Sequence, residues 1–233
     1  MFNNKFYSYF AMSSEQDRDK NIPQIEAFLS KSVAKQQKEP KLKFDELQEL
    51  LSSDQSLLRE ARRQMGGEHK GQAIVSFDPS LHKDAIATLV KIALESGSTP
   101  AIILTTLNYK SFYRLMQEKN IDYARLIVVD TISKNISKPI EAPNLFFIDS
   151  LRDLTQIQIK IVNIMDDYKD VCFVIDSLDV MELYHEDKII YKFIYSLSKI
   201  IRKEKMSAFY MLNRKSLVSQ LSQFVDSQMS LKG

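Results

Sequence analysis

From Gln72 onward the chain alternates short apolar runs with stretches of helical periodicity. Runs of apolar residues are bounded by polar turns at Ala73–Phe77, Ala101–Thr105, Leu126–Asp130, Leu145–Asp149, Val171–Asp176 and Ala208–Leu212. Each is short and apolar throughout, the pattern of a strand covered on both faces. Between them, apolar residues recur in steps of three and four over Leu81–Glu95, Lys110–Lys119, Leu154–Asp166, Lys188–Lys203 and Ser216–Ser227. The fourth of these places Ile190, Phe193, Leu197, Ile200 and Ile201 on one face, an alignment that only a helix gives. Ser150, with Asp153 three residues later, reads as a capping box opening the helix that follows the fourth strand. Strand–helix alternation of this kind predicts an α/β fold, a three-layer α/β/α sandwich around a mostly parallel sheet.

The first 70 residues have a different texture. They are polar, with runs such as Lys35-Gln36-Gln37-Lys38-Glu39-Pro40, and end in Gly66-Gly67 and Gly71, three of only five glycines in the chain. This clustering predicts a boundary near 66–71, between an N-terminal extension over 1–70 and the α/β core over 71–233. Within the extension Phe44, Leu47, Leu51, Leu58, Ala61 and Met65 follow a heptad spacing broken at Asp54, which predicts an amphipathic helix from about Asp45 to Gln64. Its stripe either packs on the protein's own core or offers Phe44, Leu47, Leu51, Leu58 and Met65 to a partner or a second copy.

Composition narrows the function classes. The 32 basic and 30 acidic residues nearly cancel, so the chain carries no overall electrostatic footprint for nucleic acid. Arg202-Lys203-Glu204-Lys205 closes a helix, where positive charge suits the dipole. The single cysteine, Cys172, sits in an apolar strand as a small hydrophobe and leaves no internal disulfide or multi-cysteine metal site. His69, His82 and His185 lack zinc-ligand spacing, and no Gly-x-Ser-x-Gly elbow or Gly-x-Gly-x-x-Gly fingerprint occurs. No stretch approaches the roughly 18 apolar residues of a membrane span, and the N-terminus lacks a signal-peptide core, so a cytoplasmic protein is expected.

Chemistry in a parallel sheet collects at the carboxyl ends of the strands. Here those ends carry Asp78, Thr105, Thr106, Asp130, Asp149, Asp176, Ser177 and Asn213. Four aspartates there could hold a metal or simply cap loops, and with six strand ends to close, capping is the expectation for most. The segment Cys172-Phe173-Val174-Ile175-Asp176-Ser177-Leu178 resembles the Walker B strand of the RecA/KaiC superfamily. Leu107-Asn108-Tyr109, Pro143-Asn144-Leu145, Asp153-Leu154-Thr155, the Tyr184-His185-Glu186-Asp187 turn and the Phe193–Arg202 helix together look like an archaeal KaiC-like domain, over about residues 72–213. The resemblance implies a RecA-like sheet, ATP or ADP with Mg2+ as the ligand, a metal-holding role for Asp176 and side-by-side assembly with other domains.

Two departures argue against catalysis. A phosphate loop needs Gly-x-x-x-x-Gly-Lys-Ser/Thr between the first strand and the first helix, because its glycines let successive N–H groups turn inward. The corresponding stretch is Phe77-Asp78-Pro79-Ser80-Leu81-His82-Lys83-Asp84, in which only the lysine is kept. The glutamate base that the family carries after the second strand is replaced by Thr105-Thr106-Leu107-Asn108, without a carboxylate. A non-catalytic interaction or regulatory module is therefore expected, with no catalytic residues, metal or cofactor. The rival is a divergent nucleotide binder or weak ATPase using Lys83, Asp130, Asp176 and Ser177.

Overall fold

The structure, a computed structural model, describes residues 44–65, 71–133 and 144–232, with the side chains of the first segment described from Gln55 onward. Residues Glu49–Gly233 form one compact unit. Its elements in chain order are α1 (Phe44–Met65), β1 (Gln72–Phe77), α2 (His82–Glu95), β2 (Thr99–Leu104), α3 (Tyr109–Glu118), β3 (Ile127–Asp130), β4 (Leu145–Phe147), α4 (Leu154–Asp167), β5 (Val171–Ile175), α5 (Asp187–Lys203), β6 (Ser207–Met211), α6 (Lys215–Leu221) and β7 (Ser227–Leu231).

The seven strands form one sheet in the order β4-β3-β2-β5-β6-β1-β7, and every ladder is parallel. Strand residues alternate between two cores. Ala73, Val75, Ile102, Leu104, Val174 and Phe209 pack under α1, α2 and α3, whereas Ile74, Ile103, Phe173, Ile175 and Tyr210 pack under α4, α5 and α6. A sheet apolar on both faces needs a helical layer on each, and the run of strands without polar alternation follows from that. The three-layer α/β/α expectation is what the chain folds into.

Three local expectations change. First, β7 lies where the sequence reads as a helix end and tail. The last helix stops at Leu221, and Met229 and Leu231 alternate inward while Ser227 and Gln228 stay exposed. Second, α4 is capped by Asp153, whose Oδ1 accepts from Gln156 N at 2.9 Å, while Ser150 Oγ accepts from Arg152 N inside the preceding turn. One residue of N-cap geometry therefore replaces the expected capping box.

Third, the second half of α1 belongs with the α/β core. Leu57 and Ala61 are buried, and Leu58 and Met65 pack against the same cluster as α2. Arg62 pairs with Glu95 of α2 at 2.6 Å, and Gln64 donates to Ser230 O and accepts from Ser230 N, each at 2.8 Å. Leu58 and Met65 are thus engaged with the chain's own core, and an extension ending at residue 70 does not describe the packing. The side chains of Phe44, Leu47 and Leu51, and the expected hinge at Gly66-Gly67, lie outside the described residues.

At the amino edge of the sheet, Gly71 has φ +126°, and a Cβ there would stand 2.7 Å from Asp226 Oδ2. That carboxylate accepts from Gln72 N at 2.8 Å, so the close approach leaves room for glycine alone.

Candidate functional site

The helices following β1 and β2 pack on one face of the sheet, and those following β4, β5 and β6 on the other. Connections therefore diverge between β2 and β5 and again between β6 and β1, the two places where such a sheet opens a crevice at its carboxyl edge.

At the first divergence Asp176, fully buried at the end of β5, faces the turn after β2. One carboxylate oxygen accepts from Thr105 N at 2.9 Å and from the Thr105 hydroxyl. The other accepts from Thr106 N at 3.1 Å, Thr106 Oγ1 at 2.8 Å and Leu107 N at 3.4 Å. Burial pushes the Asp176 carboxyl above its ordinary range, against the pull of the Thr105 and Thr106 donors. Asp130, equally buried at the end of β3, accepts from Tyr109 N at 2.8 Å, Ile132 N at 2.7 Å, Ser133 N at 2.8 Å and Ser133 Oγ at 2.6 Å. The connection from β2 to α3 is thus strung between two carboxylates, each saturated by turn donors.

Ser177 is buried, and its carbonyl, 2.8 Å from Thr105 Oγ1, shares that hydroxyl's single proton with Asp176. Lys83 is exposed in the first turn of α2 and pairs with neither aspartate. Of the four residues expected around a nucleotide, Asp176 and Ser177 share one hydrogen-bonded knot, Asp130 lies one strand beyond β2, and Lys83 stands apart.

At the second divergence the turn from β1 to α2 closes on itself. Phe77 N donates to Asn213 Oδ1 at 2.8 Å and Asp78 N to Leu231 O at 3.2 Å. Pro79 has no N–H. Ser80 N donates to Asp78 Oδ1 at 2.9 Å, Leu81 N to Asp78 O at 2.8 Å, and His82 N to Pro79 O. Every amide from Phe77 to His82 is therefore already paired. The Ser80 contacts hold the Asp78 carboxyl below its ordinary range, which keeps a negative charge on the turn. The His82 ring lies 5.2 Å from that of Phe77, and its Nε2 reaches Asp176 O at 3.0 Å, so it carries the proton there.

These contacts test the ligand that the resemblance implies. A triphosphate is held by inward-pointing backbone donors and a metal by unshared carboxylate oxygens. The β1–α2 turn has no such donor between Phe77 and His82, and Asp176 has five donors of its own, so the residues present do not fit ATP with Mg2+ in that manner. Among the described residues, no group of three or more His, Cys, Asp or Glu side chains could hold a metal ion.

Sequence reasoning missed His82 as a brace and Asp179 as a cap. Asp179 accepts from Asn213 N at 2.9 Å and Arg214 N at 3.2 Å, while Arg214 pairs with Glu182 and Asp187. The run Asp176-Ser177-Leu178-Asp179 offered the only signal, a second carboxylate just past a strand end. An open groove of about 690 Å³ remains beside the β1–α2 turn, among Ser76, Phe77, Asp78, Asn213, Lys215 and Gln228.

No family model and no curated protein matches the chain. Among solved structures it is similar to the KaiC-like protein PH0186 of the hyperthermophilic archaeon Pyrococcus horikoshii OT3, with a TM-score of 0.53 and 13% identity over 73% of this chain and 76% of that one. A second match, protein PH0250 of the same organism, has a TM-score of 0.49 and 18% identity over 75% of this chain and 87% of that one. At the first of these likenesses it is the fold that is shared: a parallel, RecA-like sheet of the KaiC-like kind.

Proposed function

We propose that the chain is a non-catalytic, cytoplasmic KaiC-like domain, a pseudo-ATPase that serves as an interaction or regulatory module. One observation carries the reading. The turn where a phosphate loop would stand has every available amide from Phe77 to His82 paired within the protein. Opening it to receive a phosphate means breaking those bonds, each worth about 0.5–1.5 kcal/mol net, before any ligand contact forms. The turn after β2, where the fold's water-activating carboxylate would be expected, is Thr105-Thr106-Leu107-Asn108 and is held by Asp176. With neither cradle nor base, the scaffold keeps its surfaces and loses its chemistry.

The groove beside Lys215 and Asn213 favours a second reading, a divergent nucleotide binder that retains a site at the carboxyl ends of β1, β6 and β7. A phosphate-release assay on the purified chain with ATP and Mg2+ separates enzyme from non-enzyme. The proposal expects release equal to that of a mock preparation and unchanged by Lys83→Ala. Turnover abolished by Lys83→Ala or Asp176→Asn would refute it.

A further inference from the structure

Helix α5 buries Ile190, Phe193, Ile194, Leu197 and Ile201 in the core. Its exposed positions are Lys188, Ile189, Lys192, Tyr195, Lys199, Arg202 and Lys203. All but Ile189 recur in steps of three and four, so they form one stripe opposite the core, about 22 Å long at 1.5 Å per residue. No carboxylate and no neutral polar side chain stands among them; Glu186 and Glu204 lie only at the two caps. A solvated helix face ordinarily interleaves acidic with basic residues, often as i,i+4 pairs.

Helix stability does not account for this stripe. Arg202 and Lys203 suit the last turn and have Asp226 and Glu204 as partners. Lys188, however, stands in the first turn, where the dipole disfavours a cation, and it repels Lys192 four residues on. Among the described residues Lys188, Lys192 and Lys199 enter no ion pair, and Asp187, the one carboxylate within α5, is taken by Arg214. Apolar side chains are exposed beside these cations. Of six exposed large hydrophobic residues among those described, four (Leu183, Tyr184, Ile189 and Tyr195) lie on α5 or at the end of the 3-10 turn Asp179–Leu183 that leads into it. Leu183 is 76% exposed, and Tyr184 and Ile189 are each 45% exposed.

We propose that this face of α5 docks on the surface of an anionic lipid bilayer. The lysine ammonium groups, carried on long stems, meet headgroup phosphates, while Leu183, Tyr184 and Ile189 enter the boundary between headgroups and acyl chains. Charge alone suits any polyanion; the exposed aliphatic and aromatic tips select the bilayer. A single-stranded nucleic acid is a poorer occupant, because Leu183 and Ile189 gain nothing from a phosphate backbone. The Tyr195 ring is also already engaged, 4.9 Å from that of Phe224 and with Lys199 over it, so it offers bases no free platform. Among the described residues no helix is long and apolar enough to cross a membrane, and the contact proposed is with the surface alone. It does not depend on the β1–α2 turn: nucleotide binding would overturn the pseudo-ATPase reading and leave this one standing.

The test floats the full chain with vesicles of phosphatidylcholine containing about one third phosphatidylserine, and with vesicles of phosphatidylcholine alone. Co-flotation is expected with the anionic vesicles only, falling as salt rises. K188E/K192E should lower the apparent affinity roughly tenfold or more, and L183S/I189S severalfold. K110E/R114E makes the same charge change at exposed positions of α3, in the opposite helical layer, and should leave the affinity unchanged. Circular dichroism checks that each variant is folded. No flotation with anionic vesicles at low salt, equal flotation with phosphatidylcholine alone, or affinity unmoved by K188E/K192E or by L183S/I189S would each overturn the inference. So would an equal loss in K110E/R114E, or tighter binding of an oligonucleotide or of polyglutamate.

Discussion

Replacing Asp176 with alanine distinguishes a carboxylate that holds the protein together from one kept for a ligand. The side chain is fully buried and receives five donors from Thr105, Thr106 and Leu107. On its removal Thr105 Oγ1 keeps the Ser177 carbonyl, and Leu107 N loses only a long contact of 3.4 Å. The amides of Thr105 and Thr106 and the Thr106 hydroxyl lose their acceptor. A buried orphaned donor costs about 1–3 kcal/mol, and partial exposure of Thr106 softens two of the three. Loss of a carboxyl that burial already disfavours offsets part of the damage. The net expectation is about 2–4 kcal/mol of destabilisation, a fall in Tm of roughly 5–15 °C for a domain of this size. Asp176→Asn keeps one acceptor oxygen and turns an NH2 group toward the other donors, so it falls between the two. Thermal unfolding followed by circular dichroism reads the ranking. A variant as stable as the wild type, or more stable, would refute the reasoning, because ligand-holding carboxylates are commonly retained at a cost to stability.

Two further outcomes follow from the packing. Leu57→Ala should cost about 2–4 kcal/mol in urea unfolding, since Leu57 is buried against the α2 layer; an accessory helix would leave the midpoint unchanged. Alkaline titration should show delayed ionisation of tyrosine. Burial, with smaller contributions from Tyr109, Asp130 and Tyr113, pushes the Tyr123 phenol from 10 up to about 12, and burial raises Tyr210 as well. A raised folded value favours the neutral phenol, so this stabilisation is complete below pH 10 and disappears as pH climbs toward 12. Tyrosinate absorbance reporting all ten phenols at the ordinary value in the folded protein would contradict that burial.

Much of the fold is written in local pattern. The runs at Ala101–Thr105 and Val171–Asp176 are too apolar for anything but covered strands, and the Ile190–Ile201 stripe can only be a helix. What stayed hidden depends on distant partners. β7 is five residues long, its inward signal is Met229 and Leu231 alone, and its place beside β1 is set by tertiary pairing. The stripe on α1 was visible but its direction was not, and it left out Leu57, which together with Ala61 faces a core built from residues after Gln72. The aspartates show the same limit. Their position at strand ends could be read, but Asp176 takes donors from residues about 70 positions earlier, and no spacing rule announces that. His82 reads as a lost glycine in the sequence and acts as a brace reaching the Asp176 carbonyl in the fold.

The β1–α2 turn bears the main weight of the account, and equilibrium nucleotide binding tests it most directly. Thermal unfolding of the purified chain with ATP or ADP, with and without Mg2+, reports any ligand of the folded state. Nucleotide at about one hundred times its dissociation constant would stabilise the fold by about 2.7 kcal/mol. A turn whose amides are already paired predicts no shift in Tm and no saturable heat in titration calorimetry. A saturable rise in Tm that needs Mg2+ and disappears in Asp176→Asn would contradict the account.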